Sequence, residues 1–236
     1  MKNVSCILAL SVLVVASLLA IVLPLVLPFR EKRLVMSDTV ASSLYKMTHD
    51  FKTIAEEHNL QYWIIGGTLI GALRHQGLIP WDDDIDIAMK STDVDLFLQL
   101  EGRFNNLGYV YKKVSFGYKI IAKDLPEPNW IDIFIYVQAG DKFVLEDQTA
   151  RDAYPKEVFT VESVNNRVWY KFGDDYVYGP GHAVEFLNRA YTKTWNYEGK
   201  FQSSHTSKSS TRKKLQTWVL QQHEYQPAGK KRLTYH

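Results

Sequence analysis

Four carboxylates occupy five consecutive positions in the run Trp81-Asp82-Asp83-Asp84-Ile85-Asp86. Side chains two residues apart on a strand share a face. The alternation predicts Asp82, Asp84 and Asp86 on one side and Ile85 and Ile87 in the core. Carboxylates crowded this closely repel and resist ionisation, a penalty that a divalent cation removes. All-oxygen ligands suit Mg²⁺ or Mn²⁺. Asp132 adds to the set. It interrupts the apolar run Ile131-Asp132-Ile133-Phe134, where a lone buried charge would be costly. A neighbouring strand carrying Asp84 and Asp86 on the same face would explain it, because the three could hold metal together. One or two such ions would polarise a phosphate and help place an attacking hydroxyl. The plainer alternative is a solvated acidic loop. An EF-hand would use Asp82, Asp84, Asp86 and Asp93, but Ile87 stands where its turn glycine belongs and Lys90 at a ligand position.

A second group precedes the acidic run. Gly66-Gly67-Thr68 follows a short apolar stretch and leads into a helical pattern. A glycine pair there lets backbone N–H groups approach an anion at a helix start; the alternative is a simple turn. No Gly-Lys-Ser/Thr follows, so this is not a Walker motif. Arg74 could hold a phosphate through two parallel hydrogen bonds, or serve only as a surface ion pair.

These residues need elements to position them. Val40, Leu44, Met47, Phe51 and Ile54 recur at helical spacing over 37–59, with Ser37 as a start signal. Residues 62–65 read as a buried strand, Thr68–Arg74 as a short helix, and Gly77 with Pro80 as a loop. Residues 85–89 read as a strand, and a helix from Thr92 or Asp93 carries Val94, Phe97, Leu98, Leu100 and Phe104. Strands are predicted at Tyr109–Val114, Tyr118–Ala122 and Ile131–Val137, with a turn at Pro126 and Pro128. Residues 138–180 mix turns with short strands. His182–Thr192 reads as a helix and 201–211 as a linker. The fold class is mixed α/β over about 37–197, with 1–30 before it and a basic segment, 198–236, after it.

The formal charge is +2, from 28 Lys+Arg and 26 Asp+Glu, and 46% of the 236 residues are hydrophobic. A collagen, a mucin-like stalk and a wholly disordered chain are excluded. The single cysteine, Cys6, excludes an internal disulfide framework. No charge occurs from Val4 to Phe29, a run long enough to cross a bilayer as a helix. A retained single-pass anchor is the expectation and a cleaved signal peptide the alternative. Arg30, Lys32 and Arg33 flank its far side and favour a cytoplasmic C-terminal portion. The basic patches Arg212-Lys213-Lys214 and Lys230-Lys231-Arg232 have no nucleic-acid motif around them. A solvated tail, or contact with anionic lipid or a polyanionic acceptor, is the better reading.

The stretch Gly66-Gly67-Thr68-Leu69-Ile70-Gly71-Ala72-Leu73-Arg74-His75, followed by Ile79-Pro80-Trp81-Asp82-Asp83-Asp84-Ile85-Asp86, resembles the signature of the LicD family, to which fukutin and fukutin-related protein are related. Ile131-Asp132-Ile133-Phe134 is similar to that family's downstream element. Tyr154-Pro155, Pro180, Leu187 and Tyr191 to Trp195 match more loosely, with Thr192 at a glycine position. The resemblance implies a nucleotidyltransferase-like mixed sheet with flanking helices. It implies transfer of a phospho-alcohol, phosphocholine or ribitol phosphate, from a CDP-linked donor to a glycan hydroxyl, with release of CMP. Asp84, Asp86 and Asp132 would be the metal-binding catalytic carboxylates, with Mg²⁺ or Mn²⁺. Gly66, Gly67 and Thr68 would cradle donor phosphates, supported by Asp82 and Arg74. A Golgi or ER membrane location would follow in a eukaryote, although the flanking charges do not favour a lumenal domain. The rivals are transfer of the nucleotide itself and a non-catalytic glycan-binding protein on the same fold.

Overall fold

The helix predicted over 37–59 forms as α1, Asp38–Glu57, in the computed structural model, which describes residues 35–124, 130–201 and 216–229. The Ser37 side chain accepts from the Val40 N–H and so satisfies one of the donors that a helix start leaves open. Leu44, Met47, Phe51 and Ile54 are buried along one stripe. Each large apolar side chain buried this way contributes roughly 1.5–3 kcal/mol. Phe51 meets Tyr62 edge-on, with ring centres 5.2 Å apart, which fixes α1 on the sheet.

The main sheet has seven strands: β1 (Tyr62–Ile64), β2 (Ile85–Lys90), β3 (Tyr109–Val114), β4 (Gly117–Ala122), β5 (Trp130–Ala139), β6 (Lys142–Leu145) and β7 (Val158–Thr160). The spatial order is β1-β2-β5-β4-β3, with β6 on the far half of β5 and β7 beyond it. The pair β2–β5 is parallel and the other pairs are antiparallel, so the sheet is mixed. Central position explains the apolar character of β5. Ile131, Ile133 and Ile135 are buried, as are Ile85, Ile87 and Met89 beside them on β2. Helix α2 (Gly66–Arg74) links β1 to the loop before β2.

The segment predicted as one helix from Thr92 or Asp93 breaks into a 3₁₀ turn, α3 (Val94–Gln99) and α4 (Glu101–Asn106). Phe97 and Phe104 are still buried from both pieces. Residues 138–180 also carry α5 (Gln148–Ala153), α6 (Val161–Asn165) and the hairpin β8 (Val168–Phe172) with β9 (Asp175–Gly179). Helix α7 spans Ala183–Ala190, close to the predicted His182–Thr192.

The sequence reading ends the domain at 197. The structure continues it with β10 (Glu198–Phe201), paired antiparallel with β11 (Gln216–Val219), and a 3₁₀ turn at Gln222–Tyr225. Trp218 on β11 contacts Trp81, with ring centres 4.9 Å apart, so aromatic packing holds this pair in place. Among the described residues no helix is long and apolar enough to cross a membrane. The predicted anchor at 1–30, the turn at Pro126 and Pro128, residues 202–211 of the linker and both basic patches lie outside the described residues.

Candidate active site

Asp86 on β2 and Asp132 on β5 are register partners in the parallel pair, and so project from the same face. Asp84 joins them from the loop, because β2 begins only at Ile85. The strand alternation therefore accounts for Asp86, while Asp84 arrives through the loop backbone. Carboxylate oxygens of Asp84, Asp86 and Asp132 lie within 4.8 Å of one another. Asp84 and Asp132 are buried. Burial pushes the Asp86 carboxyl well above its ordinary value, and Asp84, Asp82 and Asp132 push it further. Asp82, Asp83 and Asp84 form a second group with the same spacing limit, sharing Asp84. Closely spaced oxygen donors whose mutual repulsion opposes ionisation fit a hard divalent cation.

Ile65 and the Gly-Gly-Thr segment after it hold Asp86 at three points. The Asp86 N–H donates to Thr68 Oγ1 at 2.8 Å, and its carbonyl accepts from the Ile65 N–H at 3.1 Å. The Gly67 N–H donates to its carboxylate at 3.2 Å. Both glycines sit against carboxylates. A Cβ on Gly66 would meet Asp86 Oδ2, and one on Gly67 would meet Asp82 Oδ2. Gly66 also has φ +56°, a conformation that only glycine adopts without strain. In the described structure these residues position carboxylates.

Arg74 lies at the end of α2. Its Nη1 donates to the Trp195 carbonyl at 2.5 Å and the Glu198 carbonyl at 2.8 Å. Burial brings its guanidinium down to about 10. It also faces the Trp81 ring at 5.7 Å. Its geometry is that of a clip between α2 and the start of β10, at the cleft wall.

Together these groups line a cleft of about 700 Å³, whose boundary includes Gly67, Arg74, Asp82, Asp84, Asp86 and Asp132. Gly66 and Thr68 are behind it, supporting Asp86. A groove of about 620 Å³ along α1, near Tyr45 and His49, shares none of these residues.

The sequence reading missed several side chains. Lys119 on β4 is the antiparallel register partner of Asp132. Its Nζ lies 2.6 Å from Asp132 Oδ1 and 4.4 Å from the centre of the Trp130 ring. The only sequence signal was a lysine on an otherwise apolar strand. His75 is buried, accepts from Arg74 Nε at Nδ1, and lies 3.0 Å through Nε2 from the Glu224 carbonyl. Glu157 accepts from the Tyr191 hydroxyl at 2.7 Å, and burial raises its carboxyl above the ordinary value.

Residues 59–182, just over half of the chain, match the family described as LicD/FKTN/FKRP, nucleotidyltransferase domain. The chain belongs to that family. Among its relatives is the uncharacterized protein RP689 of Rickettsia prowazekii, 37% identical over 70% of this chain and 60% of that protein. Another is the lipopolysaccharide cholinephosphotransferase LicD of Haemophilus influenzae, 36% identical over 36% of this chain and 38% of that protein. The ribitol 5-phosphate transferase FKRP of Homo sapiens is 36% identical over 27% of this chain and 14% of its own length. The chain thus spans three-fifths or less of the length of each of these relatives.

Proposed function

We propose that this protein is a metal-dependent phosphotransferase that moves a phospho-alcohol from a CDP-linked donor to a glycan hydroxyl and releases CMP. The observation that carries the reading is the meeting of Asp84, Asp86 and Asp132 in one cleft, on a chain of a family with phospho-alcohol transferases among its named members. The cholinephosphotransferase and ribitol 5-phosphate transferase relatives support phosphocholine or ribitol phosphate as the transferred group and a lipopolysaccharide or other glycan as acceptor.

In this reaction the acceptor oxygen bonds to the phosphorus that bears the alcohol. The bond from that phosphorus to the CMP oxygen breaks, and the hydroxyl proton is released. Asp84, Asp86 and Asp132 would hold Mg²⁺ or Mn²⁺, which supplies charge neutralisation on the phosphates. The chain's own contribution is positioning. The Gly-Gly-Thr segment fixes Asp86, Lys119 braces Asp132, and the Arg74 clip holds the opposite wall. Asp82, beside Gly67 on the cleft boundary, would meet the donor. The apolar run Val4–Phe29 would tether the enzyme to the membrane that carries its acceptor.

The test is incubation of the protein with Mg²⁺, an acceptor glycan and CDP-choline or CDP-ribitol, labelled in the alcohol or in the nucleotide. The alcohol label should move to the acceptor as CMP appears. Nucleotide label on the acceptor would instead identify a nucleotidyltransferase. Asp84→Asn and Asp132→Asn should each lower turnover by roughly 10²–10³-fold in a protein that still folds. Full activity in both would end the metal assignment, and binding of glycan without any turnover would favour a non-catalytic role.

A further inference from the structure

A smaller pocket of about 130 Å³ opens beside the cleft. Asp86, Phe134, Tyr154 and Tyr191 border both spaces, so the two adjoin, while Tyr136 and Glu157 border the pocket only. Asp132, Phe134 and Tyr136 alternate along β5 and so share a face, which leads from the triad to the pocket. We propose that Glu157 takes the proton of the attacking hydroxyl, through water that this pocket holds and the Tyr136 hydroxyl orients. The proposal rests on the phosphotransferase reading above and supplies the step it leaves open, the destination of the proton.

Two buried polar atoms call for a hydrogen-bonding occupant. The Tyr136 side chain is completely buried, and its hydroxyl has no hydrogen-bond partner among the described residues. Glu157 accepts from the Tyr191 hydroxyl at Oε1, while its buried Oε2 has no partner among them. Buried polar groups are nearly always satisfied, so such atoms need an explanation. Water fits both, since a hydroxyl donates or accepts and a carboxylate oxygen accepts. The volume is far above the roughly 15 Å³ that one water needs.

The surroundings suit Glu157 to the task. Asp84, Asp86 and Asp132 would be committed to metal, which makes them poor bases. Around Glu157 stand Asp86 from β2, Tyr136 from β5, Tyr154 just after α5, and Tyr191 and Arg189 from the end of α7. Burial raises the Glu157 carboxyl, against the smaller opposing effects of the Tyr191 hydroxyl and the Arg189 charge. A base works best when its pKa lies near the working pH, and the shift is in that direction. Arg189 donates its Nη2 to the Val158 carbonyl. Tyr191 is kept protonated, by burial first and then by Glu157, so it occupies Oε1 and leaves Oε2 to the water. As the hydroxyl oxygen bonds to phosphorus and the bond from phosphorus to the CMP oxygen breaks, the hydroxyl proton passes to a pocket water. A proton of that water passes to Glu157 Oε2. Glu157 becomes neutral as CMP leaves with the electron pair, and loss of the proton to solvent resets it.

The experiment follows label transfer from CDP-choline or CDP-ribitol to an acceptor glycan, with the full-length chain in saturating Mg²⁺ and across pH. Glu157→Gln keeps an oxygen for the Tyr191 hydroxyl. It should lower kcat by roughly 10²–10⁴-fold, remove one proton's slope from the acid limb of kcat/KM, and leave calorimetric CMP affinity unchanged. Tyr136→Phe removes only the unpartnered hydroxyl. It should melt no lower than the wild type yet turn over about tenfold more slowly, whereas a purely structural hydroxyl would cost stability and spare the rate. Should Glu157→Gln fail to fold, Tyr136→Phe decides. An unchanged rate or acid limb in Glu157→Gln, or full turnover in Tyr136→Phe, would each overturn the proposal. Nucleotide label on the acceptor would defeat the phosphotransferase reading alone. That transfer also takes a proton from the hydroxyl, and the same variants then judge Glu157. A chain that moves neither label would end both.

Discussion

Asp86 and Asp132 face each other across the parallel pair β2–β5 as register partners, which puts two carboxylates side by side at the centre of a sheet. The arrangement is electrostatically unfavourable without a cation, and the raised Asp86 carboxyl records it. The folded chain retains a proton there at pH values where the unfolded chain has lost it. Stability from this group is therefore present at low pH and lost as pH rises from about 3.8 through the raised folded value. Thermal melting in EDTA should show this loss as the difference between the wild type and Asp86→Asn. Mg²⁺ should cancel the loss and stabilise the wild type increasingly as pH rises. An equal Mg²⁺ effect on both proteins would contradict the assignment.

Lys119 compensates part of that repulsion from the other side. It pairs with Asp132 from β4, with its Nζ 2.6 Å from the carboxylate, and both side chains are largely buried. Removing one partner of a buried pair costs on the order of 3 kcal/mol. Lys119→Met should therefore lower the melting temperature of the metal-free protein. It also removes a positive charge beside the triad, so Mg²⁺ affinity should rise and the stabilisation on adding Mg²⁺ should exceed that of the wild type. Calorimetric Mg²⁺ titration checks both. Unchanged Mg²⁺ binding would show that Lys119 serves packing alone, and weaker binding that its hold on Asp132 outweighs its charge.

Gly67 is tested by the smallest possible change. An added Cβ would run into the Asp82 carboxylate, and the side chain must swing or the helix start must shift. Overpacking of this kind costs about 1–3 kcal/mol. Gly67→Ala should weaken Mg²⁺ binding and turnover together, because the Gly67 N–H also holds Asp86. Gly102→Ala is the control, since nothing lies within 4 Å of its Cβ position, and it should change neither.

Much of this site was legible from residue types alone. Asp84, Asp86 and Asp132 stood out because carboxylates in apolar strands demand a reason, and the structure brings the three together. The sequence did not show that Asp84 arrives by a loop, since alternation cannot say where a strand begins. Lys119 escaped because strand register, unlike periodicity, depends on the partner strand. The role of Thr68 escaped for a related reason: its hydroxyl meets an N–H from eighteen residues away. The strands beyond residue 197 escaped because β10 and β11 gain their stability from each other and from the Trp81–Trp218 contact, and composition does not reveal that pairing.

The clip formed by Arg74 and His75 carries the last prediction. Arg74 Nε donates to His75 Nδ1, which places the ring proton on Nε2, facing the Glu224 carbonyl. The neutral ring thus joins α2 to the C-terminal segment, while Arg74 Nη1 holds Trp195 and Glu198. Burial and the neighbouring Arg74 charge bring the His75 pKa down to about 3. The unfolded chain takes up a proton below about 6.5 and the folded chain only near 3, so stability falls as pH drops across that window. The slope from this one group approaches roughly 1.4 kcal/mol per pH unit, opposite in sign to that from Asp86. His75→Gln should flatten the acid limb of the melting profile and leave the limb above pH 7 unchanged in slope. Arg74→Lys should loosen the wall further, because a lysine cannot reproduce the guanidinium's geometry at two carbonyls. Its signature would be a raised KM for the donor with a smaller change in kcat. A fall in kcat alone would instead assign Arg74 to the transferred phosphate.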